Sequence, residues 1–283
     1  MRKTFEADTV EPSRQALTAP KRFWALTTMS DPYLPPDLLD IIADLLHDAD
    51  NTLKSCCLVS KSWIPRTRRH LFAKVVFRTA KDLQSWKTLF PNPLTSPAYY
   101  TQSLTINFCP DPRESDWIPT FSRVVRFQMG TRSEPATFFS PFHGFSSALK
   151  SLHLDSTSLT SPSVFNFICS FPFLENVSVG MIGDVVDVGG DFGGMSTVAQ
   201  SSSPPPFTGT LKLSLQMGMD PIASHFLSLP KGPHFRKLRM SWYSPKDALP
   251  TVALIEKCSP TLESLRIYSK IPGMSNRYPY LRG

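Results

Sequence analysis

The chain has 283 residues, of which 41% are hydrophobic, and a formal net charge of +7 at pH 7. This length suits one small and one medium domain with a sizeable core. No stretch holds the about 20 apolar residues that a membrane-spanning helix needs, and the start of the chain lacks the apolar core of a secretory signal. We therefore expect a protein of the cytoplasm or the nucleus, with no membrane partner.

The first predicted segment, residues 1–30, mixes proline, threonine, serine and charges of both signs without any periodicity. Such a composition cannot bury enough apolar surface to order the chain, which predicts a disordered leader. A tail with no role is favoured here over a targeting peptide.

Residues 31–75 are rich in apolar residues at helical intervals. The residues that recur three and four apart are Leu38, Ile41, Ile42, Leu45 and Leu46. Asp50, Asn51 or Thr52 is expected to cap a second helix, and Ser60 a third that runs through Trp63 into a basic turn. Folded units of about 40 residues usually need disulfides, a metal or association to be stable. Because no metal-ligand set occurs here, we expect a partner protein to cover the apolar surplus.

This segment resembles an F-box. The pattern consists of Leu34-Pro35-x-Asp37-Leu38, then Ile41, Ile42, Leu45 and Leu53, then Leu58-Val59-Ser60-Lys61-Ser62-Trp63. The resemblance implies a three-helix module that docks onto a Skp-family adaptor and, through it, a cullin–RING ubiquitin ligase. The residues that it implies for the module and its adaptor contact are Leu34, Pro35, Leu38, Leu39, Ile42, Leu45, Leu53, Leu58, Val59 and Trp63. An ordinary helical hairpin packed on the rest of the chain is the alternative.

A short apolar motif recurs in residues 76–283. Its clearest copies begin at Leu149, Leu174, Phe235 and Leu262, with weaker ones at Leu104/Ile106, Val125/Phe127 and Leu211/Leu213/Leu215. Most intervals, counted at positions 104, 125, 152, 177, 213, 238 and 265, lie between 21 and 27 residues. One strand in each unit of 20 to 29 residues resembles a leucine-rich repeat array. We therefore predict an α/β fold in which the helical module precedes an irregular solenoid of parallel strands. The alternative is an unrelated α/β domain with evenly spaced strands.

The segments between these strands predict helices. Ser161-Pro162 and Asp220-Pro221 have the form of an N-cap followed by proline, and a third helix lies around residues 252–258. Residues 183–207, rich in glycine, serine and proline, predict a flexible insertion. Its aspartates lack the order of a calcium loop, so no metal is expected there.

No motif for phosphate binding, metal-dependent hydrolysis or serine catalysis occurs in the sequence. The five cysteines are scattered without CxxC spacing, which indicates free thiols in a reducing compartment, and Cys258 is expected in the core. We therefore expect no enzymatic activity, no cofactor and no metal site.

Positive charge is concentrated near the end of the chain, where residues 220–283 hold ten lysines or arginines against four acidic residues. A basic surface with aromatic residues could hold an acidic protein segment or, less favoured, a nucleic-acid backbone. The candidate substrate-binding residues are Arg236, Arg239, Trp242, Arg266 and Tyr268. A solvated basic surface without a partner is the alternative.

These observations favour a substrate receptor of a Skp–cullin–F-box ubiquitin ligase, which binds the adaptor with residues 31–75 and an unknown target protein with the repeats. Two other functions stay open. One is a repeat scaffold outside any ligase, in which the helical segment caps the solenoid. The other, less favoured, is a basic nucleic-acid-binding protein.

Overall fold

A computed structural model describes residues 35–108, 110, 112–131, 139, 142–156, 161–180, 205–214, 220–229, 231–242 and 248–269. The predicted leader, Leu34 and residues 183–204 of the predicted insertion lie outside the described residues.

Three short helices open the described chain, and we call residues 36–71 the three-helix unit. They are α1 (Pro36–Leu45), α2 (Asp50–Val59) and α3 (Ile64–Leu71), with a 3-10 turn at Lys61–Trp63 before the third. Ser60 caps this turn, since its Oγ accepts a hydrogen bond from the Ser62 N–H at 3.3 Å. The predicted cap of α2 is wrong. Ala49 already accepts the first helical hydrogen bond from the Leu53 N–H at 2.9 Å, so residues 50–52 form the first turn.

Eight strands form one open sheet in which every strand runs parallel to its neighbours in chain order. The strands are β1 (Lys74–Phe77), β2 (Ser103–Ile106), β3 (Arg126–Thr131), β4 (Ser151–Ser156), β5 (Asn176–Gly180), β6 (Thr210–Ser214), β7 (Lys237–Trp242) and β8 (Ser264–Ser269). The predicted α/β class with parallel strands is confirmed, and the arrangement is solenoid-like.

Alternation along the strands builds the core. Parallel pairing aligns one apolar residue per strand, in the row Val75, Leu104, Phe127, Leu152, Val177, Leu211, Leu238 and Leu265. A second inward row lies two residues further along each strand, from Phe77 to Ile267. The intervening residues point to the other side of the sheet, because successive side chains of a strand alternate.

The register corrects two details of the predicted repeat. The residue of β3 that aligns with Leu104 is Phe127, not Val125, and the residue of β6 that aligns with Val177 is Leu211, not Leu213. The intervals 104 to 127 and 127 to 152 are therefore 23 and 25, and the long interval 177 to 211 is 34. The first strand, β1, was not predicted.

Helices cover the apolar side of the sheet. They are α4 (Ala80–Leu89), α5 (Ser161–Cys169), α6 (Asp220–Leu227) and α7 (Ala248–Cys258), with 3-10 helices at Pro93–Thr95, Pro97–Tyr100 and Pro112–Phe121. The helices predicted at Ser161, at Asp220 and around 252–258 are confirmed. Stacked rings fill the space between layers, as between Phe139 and Phe167, whose centroids lie 4.2 Å apart. Cys258 is fully buried, as predicted.

The three-helix unit runs directly into the sheet. Phe72 packs edge-on against Trp86 and Phe90, with ring centroids 5.7 and 5.8 Å apart. The Ala73 carbonyl accepts hydrogen bonds from the N–H groups of Gln102 and Ser103, both at 2.9 Å. The predicted boundary between residues 75 and 76 falls within β1, all of which pairs with β2.

Candidate protein-binding surfaces

Helix α1 carries apolar residues on two sides. Leu39 and Ala43, four residues apart, are buried within the protein. Leu38, Ile41 and Leu45 lie on another side, at intervals of three and four, and all three are exposed, Leu45 to 77%. An isolated helix with such an outer side would lower its free energy by covering it.

Helix α2 repeats this division. Leu53 is fully buried, whereas Leu58 and Val59 at the end of the helix are exposed to 88% and 74%. Both α1 and α2 pack against α3. One small unit therefore presents the exposed apolar set Leu38, Ile41, Leu45, Leu58 and Val59.

Polar contacts brace this unit from within. Asp40 of α1 pairs with the Arg66 guanidinium of α3, and one turn along, Asp44 Oδ1 lies 2.8 Å from His70 Nε2. Between α2 and α3, the Cys57 Sγ and Thr67 Oγ1 are 2.7 Å apart, and Thr67 is fully buried. The exposed apolar set is thus held on helices that are tied to one another.

The structure divides the predicted adaptor-binding residues into core and surface. Leu39 and Leu53 belong to the interior of the chain, so a partner does not reach them in this conformation. Ile42 and Trp63 are partly buried. The exposed members are Pro35, Leu38, Leu45, Leu58 and Val59. Ile41 is an exposed residue that the predicted set omitted, although its spacing from Leu38 and Leu45 pointed to it.

A second candidate surface is the side of the sheet opposite the helices. The register places one residue from each strand in its middle row, which runs Val76, Thr105, Gln128, His153, Ser178, Lys212, Arg239 and Arg266. The first five residues are neutral at pH 7, and the last three, on β6 to β8, are basic and exposed.

Three predicted substrate-binding residues meet on this side. Arg239 pairs in register with Arg266, and Tyr268, about half exposed, follows two residues along β8. Lys212 pairs with Arg239 but was not predicted. The predicted alignment of Leu213 with Leu238 placed Ser214 beside Arg239. Lys212 was therefore not recognised as the neighbour of Arg239.

The other two predicted residues lie apart from this row. Arg236 precedes β7, and its guanidinium is 3.5 Å from the Glu263 carboxylate. It lines an open cleft of about 420 Å³ at the amino ends of β5 to β8, which Glu175, Asn176 and Lys237 also line. Trp242 pairs with Ser269, and its position alternates with that of the middle row; its side chain lies outside the described residues.

Lys212 on β6 acts electrostatically on His153 of β4. Burial lowers the pKa of His153, the nearby Lys212 ammonium lowers it further, and Asp155 opposes them. Between His153 and Lys212, the Ser178 Oγ is buried and has no hydrogen-bond partner among the described residues. Positive charge from β6 is therefore felt two strands away.

The titratable groups of the described residues offer little for catalysis. Burial raises the pKa of the Cys169 thiol to about 11, and burial also raises the pKa of Cys258. Both therefore stay protonated thiols near neutral pH, whereas the thiolate is the nucleophile. In the described ranges, no three histidine, cysteine, aspartate or glutamate residues come together as a metal site.

The chain matches no family model and none of the curated proteins. Within the part of the chain that the structure describes, no helix is long and apolar enough to cross a membrane.

Proposed function

We propose that this protein is the substrate receptor of a Skp–cullin–F-box ubiquitin ligase. In this proposal, the three-helix unit is an F-box that binds the Skp adaptor, and the sheet is a degenerate leucine-rich repeat array that binds a target protein. The receptor performs no bond chemistry. It raises the effective concentration of the target near the ubiquitin-transfer machinery.

The observation that carries the proposal is the exposed apolar set of the three-helix unit. Leu45, Leu58 and Val59 each keep about three quarters or more of their surface in water. Fully burying one such side chain is worth about 1.5–3 kcal/mol. A partner that covers all three would therefore gain substantial free energy, and this supports a docking role for residues that match the F-box pattern.

Division of α1 into two sides supports the same role. Leu39 and Ala43 anchor the helix inside, so Leu38 and Leu45 are free to contact another chain without unfolding it. The ion pair of Asp40 with Arg66 ties α1 to α3.

Co-purification with a Skp-family adaptor tests the proposal. The variant Leu45→Asp/Leu58→Asp should lose adaptor capture, because each carboxylate would be desolvated at the contact. Its matched control is Leu89→Asp/Leu94→Asp, which changes two exposed leucines outside the three-helix unit. This control should capture the adaptor normally. A wild-type chain that captures no adaptor, or a Leu45→Asp/Leu58→Asp variant that captures it as well as the control does, would contradict the proposal.

A second candidate function, a repeat scaffold outside any ligase, is favoured by the junction with the sheet. Phe72 and Ala73 join the three-helix unit to β1 and β2 through ring packing and two hydrogen bonds, as expected for a cap of the array. Hydrogen exchange on the chain without partners separates the two functions. A cap should protect the amides of α1 and α2 as strongly as those of β2, whereas an F-box awaiting its adaptor should exchange faster.

A further inference from the structure

Three basic residues on neighbouring strands stand side by side on the exposed side of the sheet. Lys212 pairs in register with Arg239, and Arg239 with Arg266. Since neighbouring strands lie about 4.8 Å apart, the three positions span only about 10 Å. None of the ion pairs found among the described residues within 4.0 Å involves any of the three. We call Lys212, Arg239 and Arg266 the basic row.

Repulsion among these three positive charges raises the free energy of the unbound protein. Like charges directly opposite each other on adjacent strands destabilise a sheet. An anion laid across β6 to β8 would relieve this repulsion. Two of the three cations are arginines, whose planar donors bind carboxylates in pairs.

We propose that the basic row binds a short, extended, acidic segment of another protein. Its span of about 10 Å matches four residues of an extended chain, which are joined by three steps of about 3.3 Å. The inference deepens the proposed function, since it rests on that function for identifying the bound segment as part of a ligase target.

The surroundings favour a short protein segment over nucleic acid. Asp155 lies on β4, two strands from the basic row, and Glu175 lies at the amino end of β5. A long phosphate backbone crossing the sheet would meet these carboxylates, whereas a segment confined to β6 to β8 would not. Proteins that bind single-stranded nucleic acid place several aromatic side chains along the strand. On this side of β6 to β8, Tyr268 is the one aromatic residue whose described side chain could do so.

Fluorescence anisotropy on the full chain at low salt tests the inference. The probe is a labelled eight-residue peptide of alternating glutamate and serine, which places its carboxylates on one side when extended. Its neutral reference replaces each glutamate by glutamine. We expect the acidic peptide to bind more tightly than the neutral one. The Lys212→Gln/Arg239→Gln/Arg266→Gln variant should weaken that binding about tenfold, since one exposed charge pair contributes a factor of about 1.4 to 5.

A matched control removes the same net charge elsewhere. Lys81, Lys231 and Lys257 are exposed residues outside the sheet, and their triple change to glutamine should leave the affinity within about twofold. Equal losses of affinity in both triple variants would show that binding depends on net charge alone, and this would overturn the inference. So would an oligothymidylate of equal charge that binds more tightly through the same three residues, because that result would assign the row to nucleic acid.

Two further measurements keep the test decisive. Removing mutually repelling charges should leave the circular dichroism spectrum unchanged and should not lower the melting temperature. If the triple variant still fails to fold, Arg239→Gln alone should weaken binding of the acidic peptide by about 1.4- to 5-fold. Adaptor capture, which depends on the three-helix unit, should persist in every basic-row variant. Loss of adaptor capture by the wild type would therefore refute the ligase role alone, and failure of the acidic peptide to bind would refute this inference alone.

Discussion

The Asn176 side chain holds the start of the next strand: its Oδ1 accepts a hydrogen bond from the Thr210 N–H at 2.8 Å. These two residues are 34 positions apart and begin β5 and β6. The bond thus joins two strands across the longest interval in the repeat. At the start of β6, the Asn176 side chain accepts the hydrogen bond that a backbone carbonyl accepts at the start of other strands.

Gly209→Ala should break this bond. A Cβ on Gly209 would collide with Asn176 Oδ1 and stand 3.0 Å from the Glu175 carbonyl oxygen. Since the backbone cannot yield easily, the Asn176 side chain must move and leave the Thr210 N–H without its partner. We expect a loss of about 1–2 kcal/mol in the free energy of unfolding, measured by urea denaturation.

Asn176→Ala supplies the control for that change. In this background the two side-chain atoms nearest to a Cβ at position 209, Asn176 Oδ1 and Cγ, are absent. Gly209→Ala should therefore cost clearly less than in the wild type. A double-mutant cycle should give a coupling of at least about 0.5 kcal/mol. Strictly additive costs would show that the collision with Asn176 is not the cause.

Two leucines of the three-helix unit should respond oppositely to truncation. Leu53 is fully buried, so Leu53→Ala should lower the free energy of unfolding by about 2–5 kcal/mol. Leu45 is mostly exposed, so Leu45→Ala should change it by no more than about 0.5 kcal/mol. Urea unfolding of both variants checks this contrast. A larger cost at Leu45 would mean that α1 packs the other way round.

The bond between Asp44 and His70 should contribute little to stability. The Asp44 side chain is largely exposed, so water and salt screen its attraction to the ring. A double-mutant cycle with Asp44→Asn and His70→Gln at pH 6 should give a coupling of about 0.2–1 kcal/mol that falls in 1 M salt. A coupling that is independent of salt would contradict this view of the pair.

Acid should destabilise the sheet partly through His153. Burial and Lys212 lower its pKa below the ordinary 6.5 of the unfolded chain. As the pH falls below 6.5, the unfolded state takes up a proton before the folded state does, so stability decreases. His153→Gln should therefore lose less stability than the wild type between pH 7.5 and 5.5, as measured by urea midpoints. Equal losses would assign the acid sensitivity to other groups, such as His143 and His225, whose pKa values burial also lowers.

Sequence reasoning found the parallel α/β fold because seven strands repeat one apolar motif. It missed β1, Lys74–Phe77. Phe72, Val75 and Phe77 have the spacing of the longer motif, but the predicted boundary between residues 75 and 76 divides them. It misplaced β3 and β6 by two residues, because Val125 and Leu215 extend their apolar patterns and alternation alone does not choose between such registers. Backbone pairing with the neighbouring strands resolves both.

The candidate surfaces were predictable to different degrees. The 27-residue interval from 238 to 265 places Arg239 beside Arg266 without any structure. Lys212 escaped notice because its strand was misaligned. On α1, apolar residues occur on both sides, so composition could not decide that Leu39 lies inside and Leu38 outside. That choice depends on how α1 packs against α3.

The chain-order pairing of the strands also suits growth during translation. Each strand from β2 onward pairs with one that was made before it. Successive strands begin 23 to 34 residues apart from β2 to β8, so a ribosome at about 5–20 residues per second releases one roughly every 1–7 seconds. The strand that pairs with each newly made strand has therefore already been synthesised, and the sheet can lengthen at the pace of synthesis.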